Sequence, residues 1–174
     1  MTRIAMLAAA VLLPAAAAVL PQAKAEDRHI RAVLEGSEEV PAIITDGRGS
    51  FRARISKDGG AIWYELAYAD LEGEVTQAHI HIGQAGVNGG VAAFLCTNLG
   101  NGPAGTQNCP APPARITGII TAAAVVGPSA QGVSAGEFDA LLEALREGVA
   151  YANVHSTLWP GGEIRSQLGR HNHD

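Results

Sequence analysis

Short segments of alternating apolar and polar residues, separated by glycine-containing turns, constrain the fold of this chain more than any other feature. Successive side chains of a strand point to opposite faces, so such alternation predicts a half-buried strand. In residues 47–60, Phe51, Ala53 and Ile55 alternate with Arg52 and Arg54. Strands are predicted within residues 28–36, 47–60, 61–71, 74–83, 89–96, 115–122, 148–156 and 161–168. The connections leave little room for crossover helices, which favours an all-β fold, an antiparallel Greek-key-like β-sandwich of about eight strands.

One segment has helical periodicity instead. Residues 134–148 carry an apolar stripe at helical spacing, formed by Phe138, Leu141, Leu142 and Leu145. Ser134 and Glu137 fit a capping box at the start of this segment, and Gly148 fits a C-terminal stop. We therefore predict one short amphipathic helix that packs as a lid on one end or edge of the sheet.

The first 25 residues predict export. Arg3 precedes a run of Ala, Leu and Val, and the small-residue pattern Ala23-Lys24-Ala25 follows it. This is the order of a secretory signal peptide, and a retained anchor is the alternative. Because the apolar run is short and contains Pro14, we favour cleavage after Ala25. The predicted organisation is a signal peptide (1–25), one β-sandwich domain (26–168) and a disordered, histidine-containing tail (169–174).

Charge and cysteine content narrow the possible partners and the compartment. The chain has a formal net charge of −5 and no basic run, which argues against nucleic acid or an anionic membrane as a partner. Its two cysteines, Cys96 and Cys109, flank a segment rich in Gly, Asn and Pro. In an exported protein an even number of cysteines predicts a disulfide, with cysteine metal ligation as the alternative.

Three separated motifs carry a resemblance to a known family. They are LEGSEEVPAIITDGRGS (34–50), AHIHIGQAGVNGGVAAFL (78–95) and YANVHSTLWPGGEIRSQL (151–168). Their order and spacing resemble those of the CHRD domain, which is named after chordin. The resemblance implies a β-sandwich similar to that of copper–zinc superoxide dismutase, in a secreted or periplasmic protein. It implies no reaction common to the family.

Three histidines are the candidate metal ligands. Strand parity places His79 and His81 on one face of AHIHIG, and it places His155 on one face of YANVHS. If these two strands are neighbours, the three imidazoles converge. Three imidazoles suit copper or zinc, with water or a carboxylate completing the coordination shell.

Other polar residues share these faces. Asn153 lies on the His155 face, and Glu163 and Arg165 share a face of the last predicted strand. We expect these three residues to support the metal ligands or to contact a ligand. Two alternatives stay open, namely a purely structural polar network and recognition of an anionic or carbohydrate ligand through Arg165, Asn153 and Trp159.

These observations favour an exported, non-enzymatic binding module that holds copper or zinc, or an extracellular or periplasmic protein partner. The competing hypothesis is a structural or adhesive interaction domain without metal. An enzyme of the superoxide dismutase type ranks third, because a complete copper–zinc centre needs about six histidines, whereas three of the six after the predicted signal peptide lie near the termini (His29, His171 and His173). No nucleophile–base–acid set is visible, and the carboxylates of SEE (37–39) predict a solvated bend.

Overall fold

The computed structural model describes residues 29–169. Its eight strands are β1 (His29–Glu35), β2 (Arg48–Ile55), β3 (Ile62–Ala69), β4 (Val75–Ile82), β5 (Val91–Thr97), β6 (Ala114–Ile120), β7 (Ala150–Ser156) and β8 (Ile164–Leu168). One α-helix, α1 (Phe138–Arg146), precedes β7. The all-β, antiparallel prediction is therefore confirmed. The predicted signal peptide and residues 170–174 of the predicted tail lie outside the described residues.

The strands pair in the order β5-β4-β7-β8-β1-β2-β3-β6, and every pairing is antiparallel. Between β8 and β1 the register consists of one pair, Glu35 with Arg165. The sheet therefore divides there into two four-stranded halves, as a sandwich requires. The chain crosses between the halves after β3, β5 and β6, which gives the Greek-key character. These crossings bring β4 and β7 side by side although they are distant in sequence.

The alternation in β2 and β3 explains the core of one half. Phe51 and Leu66 pair across these strands, and both are completely buried. Burying a side chain of this size contributes about 1.5–3 kcal/mol. The alternate residues Arg52 and Arg54 stay exposed on the outer face. A substitution of Phe51 by Ala would cost about 3–5 kcal/mol because it leaves a cavity.

Side chains also connect the two edges of the sheet. The Tyr64 hydroxyl donates to the carbonyl of Leu95 on β5, at 2.8 Å. The Gln107 amide donates to the same carbonyl and to the carbonyl of Thr117 on β6, each at 3.1 Å. A Cβ at Gly118 would lie 2.5 Å from the Tyr64 hydroxyl oxygen, so glycine lets the tyrosine cross to the opposite edge. These bonds satisfy backbone groups that an open edge leaves unpaired.

The predicted disulfide is confirmed. Cys96 on β5 is bonded to Cys109 across a separation of 13 residues. Asn98 holds the same loop, because its side chain accepts from the Cys109 amide and donates to the Cys109 carbonyl, at 2.9 Å in both cases. Closing a loop of this size stabilises the fold by about 3 kcal/mol in the chain-entropy model.

The helix begins later than the capping box predicts. Its first residue is Phe138, because Gly136 has a positive φ of 85° and turns the chain just before it. Ser134 is therefore not the N-cap. The Glu137 carboxylate nevertheless accepts a hydrogen bond from the Ser134 amide at 2.6 Å, one of the two bonds of a capping box. The predicted apolar stripe is buried in the common core. No helix within residues 29–169 is long and apolar enough to cross a membrane.

Candidate metal centre

The three candidate histidines come together on one face of β4 and β7. These strands are antiparallel neighbours, with His79 opposite Asn153 and His81 opposite Tyr151. His155 is opposite Gln77, two positions further along the same face. One ring nitrogen of each histidine lies within 4.8 Å of the other two. The convergence expected from side-chain parity is therefore present in the structure.

This polar face is buried rather than exposed to solvent. His79, His81 and His155 are 2 %, 7 % and 5 % exposed. Two turns supply backbone acceptors for the rings. The carbonyl of Gly89, in the loop between β4 and β5, lies 3.0 Å from His81 Nδ1. The carbonyl of Pro160, in the turn between β7 and β8, lies 3.0 Å from His155 Nδ1.

These carbonyls determine which nitrogen of each ring carries the proton. A carbonyl oxygen can only accept, so His81 Nδ1 and His155 Nδ1 are both the donors. In neutral rings this leaves a lone pair on His81 Nε2 and on His155 Nε2. His79 Nδ1 then donates to His155 Nε2 at 3.2 Å, which leaves a lone pair on His79 Nε2. We assign these tautomers from the hydrogen bonds.

Two of these lone pairs have no hydrogen-bond donor. His79 Nε2 and His81 Nε2 are buried, and no described residue donates to either atom. A buried polar atom without a partner costs about 1–3 kcal/mol, so native structures seldom keep such atoms without a reason. Buried acceptors that lack donors are the arrangement that a cation would satisfy.

The environment also keeps the rings neutral, as metal coordination requires. Burial, together with a smaller contribution from repulsion by His155 and His81, lowers the pKa of His79 to about 2. Burial likewise lowers the pKa of His81 to about 4, although its hydrogen bond to Gly89 opposes the shift. Burial is also the main cause that lowers the pKa of His155. At neutral pH all three rings therefore offer lone pairs rather than positive charge.

The geometry is close to that of a bound transition metal. Two nitrogens on one tetrahedral zinc lie about 3.3 Å apart, given a Zn–N distance of about 2.0–2.1 Å. The His79 Nδ1–His155 Nε2 distance of 3.2 Å is close to this value, but it is a hydrogen bond in the metal-free protein, so ligation by both residues requires the His79 ring to turn and present Nε2. The largest separation in the cluster, 4.8 Å, exceeds it, so binding requires side-chain rotations that move ligand atoms by about 1 Å. These residues fit a three-imidazole copper or zinc site.

Arg165 supports this site through Tyr151. Its guanidinium carbon lies 3.4 Å from the centre of the Tyr151 ring, and that ring also stacks on His81 at a centroid distance of 4.8 Å. Arg165 is 1 % exposed and also donates to the carbonyls of Gln84 and Val87 and to the Asn88 side chain. Arg165 thus fixes the loop whose Gly89 carbonyl holds His81.

A carboxylate for which the sequence predicts a solvated position is also buried here. Glu39 is 6 % exposed, and its carboxylate accepts a hydrogen bond of 3.4 Å from Asn153. Burial raises the pKa of Glu39 to about 7, against the opposing effect of Arg165. The prediction of a solvated bend at SEE is therefore wrong for Glu39. The E-V-P motif gave no signal of this burial, which depends on packing of the segment after β1 against β7.

Glu163 and Trp159 lie elsewhere. Glu163 precedes β8, and its carboxylate accepts from the Thr45 hydroxyl at 3.0 Å and from the Glu72 amide at 2.6 Å. It braces loops rather than the histidines. The Trp159 indole donates to the Glu72 carboxylate at 3.0 Å. Because Arg165 and Asn153 are buried, they do not form with Trp159 the exposed ligand surface that the sequence allowed.

Comparison with known proteins identifies the family. The CHRD domain family matches residues 30–168, which span all eight strands except the first residue of β1. The chain belongs to the CHRD domain family. No curated protein and no solved structure shows significant similarity to it.

Proposed function

We propose that this protein is an exported, non-enzymatic binding module that holds one copper or zinc ion through His79, His81 and His155. The observation that carries the proposal is the pair of buried, donorless atoms His79 Nε2 and His81 Nε2, beside the lone pair of His155. Membership of the CHRD family supports a binding role. The disulfide supports an oxidising compartment, where the module would store, buffer or deliver the metal.

The enclosure of the site supports binding rather than catalysis. Three neutral imidazoles and an enclosed site favour retention of an ion. A second metal site of the superoxide dismutase kind would need further histidines, and within residues 29–169 the grouped metal-ligand candidates are these three. We therefore expect no dismutase activity from the loaded protein.

Calorimetric titration with zinc and with copper tests the proposal. All proteins carry His171→Asn and His173→Asn, because a His-x-His sequence can bind metal by itself. We expect one equivalent of metal per chain and a loss of at least about 100-fold in affinity for His79→Ala/His81→Ala, since two of three ligands are gone. His29→Ala is the control, because His29 lies outside the cluster. Equal affinity of the double variant and the parent would refute the proposal.

A second candidate function is supported by the outer face of the other half-sheet. Arg31 and Arg52 are exposed and directly opposite each other on β1 and β2, an arrangement that repulsion disfavours. Arg54 covers the ring of Trp63, which is 39 % exposed. These residues line a shallow groove of about 290 Å³. Arginine and tryptophan are enriched at protein interfaces, so this face would suit an acidic protein partner.

Polyglutamate serves as the probe for this second function. We expect binding that weakens as salt increases and that is lost in Arg31→Ser/Arg52→Ser. The double variant His79→Ala/His81→Ala should bind the probe as the parent does. Failure of the parent to bind polyglutamate at low salt would exclude this role for the arginine face.

A further inference from the structure

We propose that Glu39 and Asn153 form the acceptor pair for a water molecule that completes the metal's coordination shell. This inference rests on the proposed metal site and adds its fourth position. It also assigns a role to the E-V-P segment, which the three histidines leave unexplained.

The first observation is a cluster of unsatisfied acceptors. Glu39 Oε1 and Asn153 Oδ1 are buried, and no described residue donates to either atom. They join His79 Nε2 and His81 Nε2, which share this condition. Asn153 lies directly opposite His79 on the neighbouring strand, so its side chain is on the same face of the sheet as the imidazoles. A cation alone would satisfy the imidazoles, whereas a metal-bound water has two protons to donate to the oxygens.

The second observation is that the fold holds these oxygens in place. A Cβ at Gly162 would lie 2.5 Å from Glu39 Oε1 and 2.6 Å from the Asn153 amide atoms. Glycine at this position, with φ at 131°, lets the turn before β8 close directly onto the pair. From the other side, the Asn88 side chain donates to the Val40 carbonyl at 2.7 Å. The carboxylate is therefore positioned by both turns that enclose the site.

The third observation is the balance of charge. Arg165 is buried close enough to lower the pKa of both His81 and Glu39. A divalent ion would add further positive charge to this enclosed region. Glu39 is the carboxylate that contacts this polar face, through Asn153. A divalent ion nearby would favour the ionised form of Glu39, whose negative charge would then offset part of the charge of the ion in a region of low dielectric.

Glu39 acts through water rather than as a direct ligand. The mutually close ligand atoms belong to the three histidines, and no Glu39 oxygen is among them. Zinc sites with three protein ligands keep water in the fourth position, and carboxylates that support such sites are commonly one hydrogen bond away. An amide and a carboxylate together would orient that water and fix its two protons.

Glu39→Gln tests the inference, with Glu163→Gln as the matched control. Both substitutions remove one buried carboxylate at constant shape, but Glu163 contacts Thr45 and Glu72 instead of the site. Zinc affinity is measured by competition with a chelator, and the Cu(II) form is examined by electron paramagnetic resonance. We expect about 10–100-fold weaker zinc binding for Glu39→Gln and a shifted copper spectrum. Glu163→Gln should keep the affinity and spectrum of the parent.

Unfolding separates this role from a merely structural one. In EDTA, Glu39→Gln should have a urea midpoint no lower than the parent, because an unsatisfied buried carboxylate has been removed. With zinc, its midpoint should increase less than that of the parent. Unchanged zinc affinity in Glu39→Gln would overturn the inference while leaving the metal site intact. A parent that binds no metal would overturn the proposed function and this inference together.

Discussion

Replacing His81 by Phe should separate metal binding from folding. Phe keeps an aromatic ring on Tyr151, where His81 now stacks at 4.8 Å. The variant loses the hydrogen bond to the Gly89 carbonyl, at a cost of about 1 kcal/mol. It also removes the donorless Nε2 atom, which recovers about 1–3 kcal/mol. These effects offset each other, so the metal-free stability should change by less than about 2 kcal/mol.

The metal-dependent part of the stability should behave differently. A ligand that binds the native state adds about 2.7 kcal/mol when its free concentration is 100 times its dissociation constant. The free energy of unfolding of the parent, measured in urea, should be higher by this increment with free zinc at about 100 times the parent's dissociation constant than in EDTA. For His81→Phe under the same two conditions, the difference should be almost zero. His29→Phe, outside the cluster, should keep the full increment. An undiminished increment in His81→Phe would refute the assignment of His81 as a ligand.

Three further predictions concern the surroundings of the site. Arg165→Met should lower the free energy of unfolding by about 3–5 kcal/mol, since it removes three hydrogen bonds that the buried guanidinium donates to the loop between β4 and β5. A loss below about 1 kcal/mol in urea unfolding would contradict the proposed bracing role. The double variant Cys96→Ser/Cys109→Ser should lose about 3 kcal/mol of unfolding free energy in the same assay and keep the zinc affinity of the parent. Weaker zinc binding would contradict this prediction, because it would show that the metal site depends on the disulfide. In EDTA the free energy of unfolding should fall as the pH drops from 6.5 to 4, because the pKa of His81 is lowered to about 4 and the unfolded chain takes up the proton first. Glu39, whose pKa is raised to about 7, opposes this fall, so Glu39→Gln should steepen it. A flat urea-unfolding profile of Glu39→Gln would contradict the lowered pKa of His81, and a profile of Glu39→Gln no steeper than that of the parent would contradict the raised pKa of Glu39.

The alternation of apolar and polar residues predicts much of the fold, and the parity of side chains along the strands predicts that the three histidines cluster. Alternation located all eight strands because turns with glycine separate them clearly. Parity placed His79, His81 and His155 correctly, because a strand has only two faces and antiparallel neighbours share them. Parity alone did not show that β4 and β7 are neighbours, since that depends on chain crossings between the two halves of the sheet.

The remaining features depend on tertiary packing that a local pattern does not encode. Glu39 has the local sequence of a solvated bend, and its burial follows from contact with Asn153 and Gly162, more than 100 residues away. The helix starts at Phe138 because Gly136 turns the chain, although the Ser134 and Glu137 spacing fits a cap. The sequence predicts that Glu163 shares a strand face with Arg165, but β8 begins one residue later, at Ile164. The Glu163 carboxylate therefore contacts the loops that carry Thr45 and Glu72 instead of the histidines.

X-ray absorption at the zinc edge of the loaded protein would test the metal site most directly. The His171→Asn/His173→Asn protein should show three imidazole nitrogens and one further oxygen or nitrogen, at about 2.0–2.1 Å. His79→Ala/His81→Ala should lose this imidazole signal. Two results would contradict the metal centre at His79, His81 and His155. One is bound zinc without imidazole scattering, and the other is a parent protein that retains no zinc after dialysis.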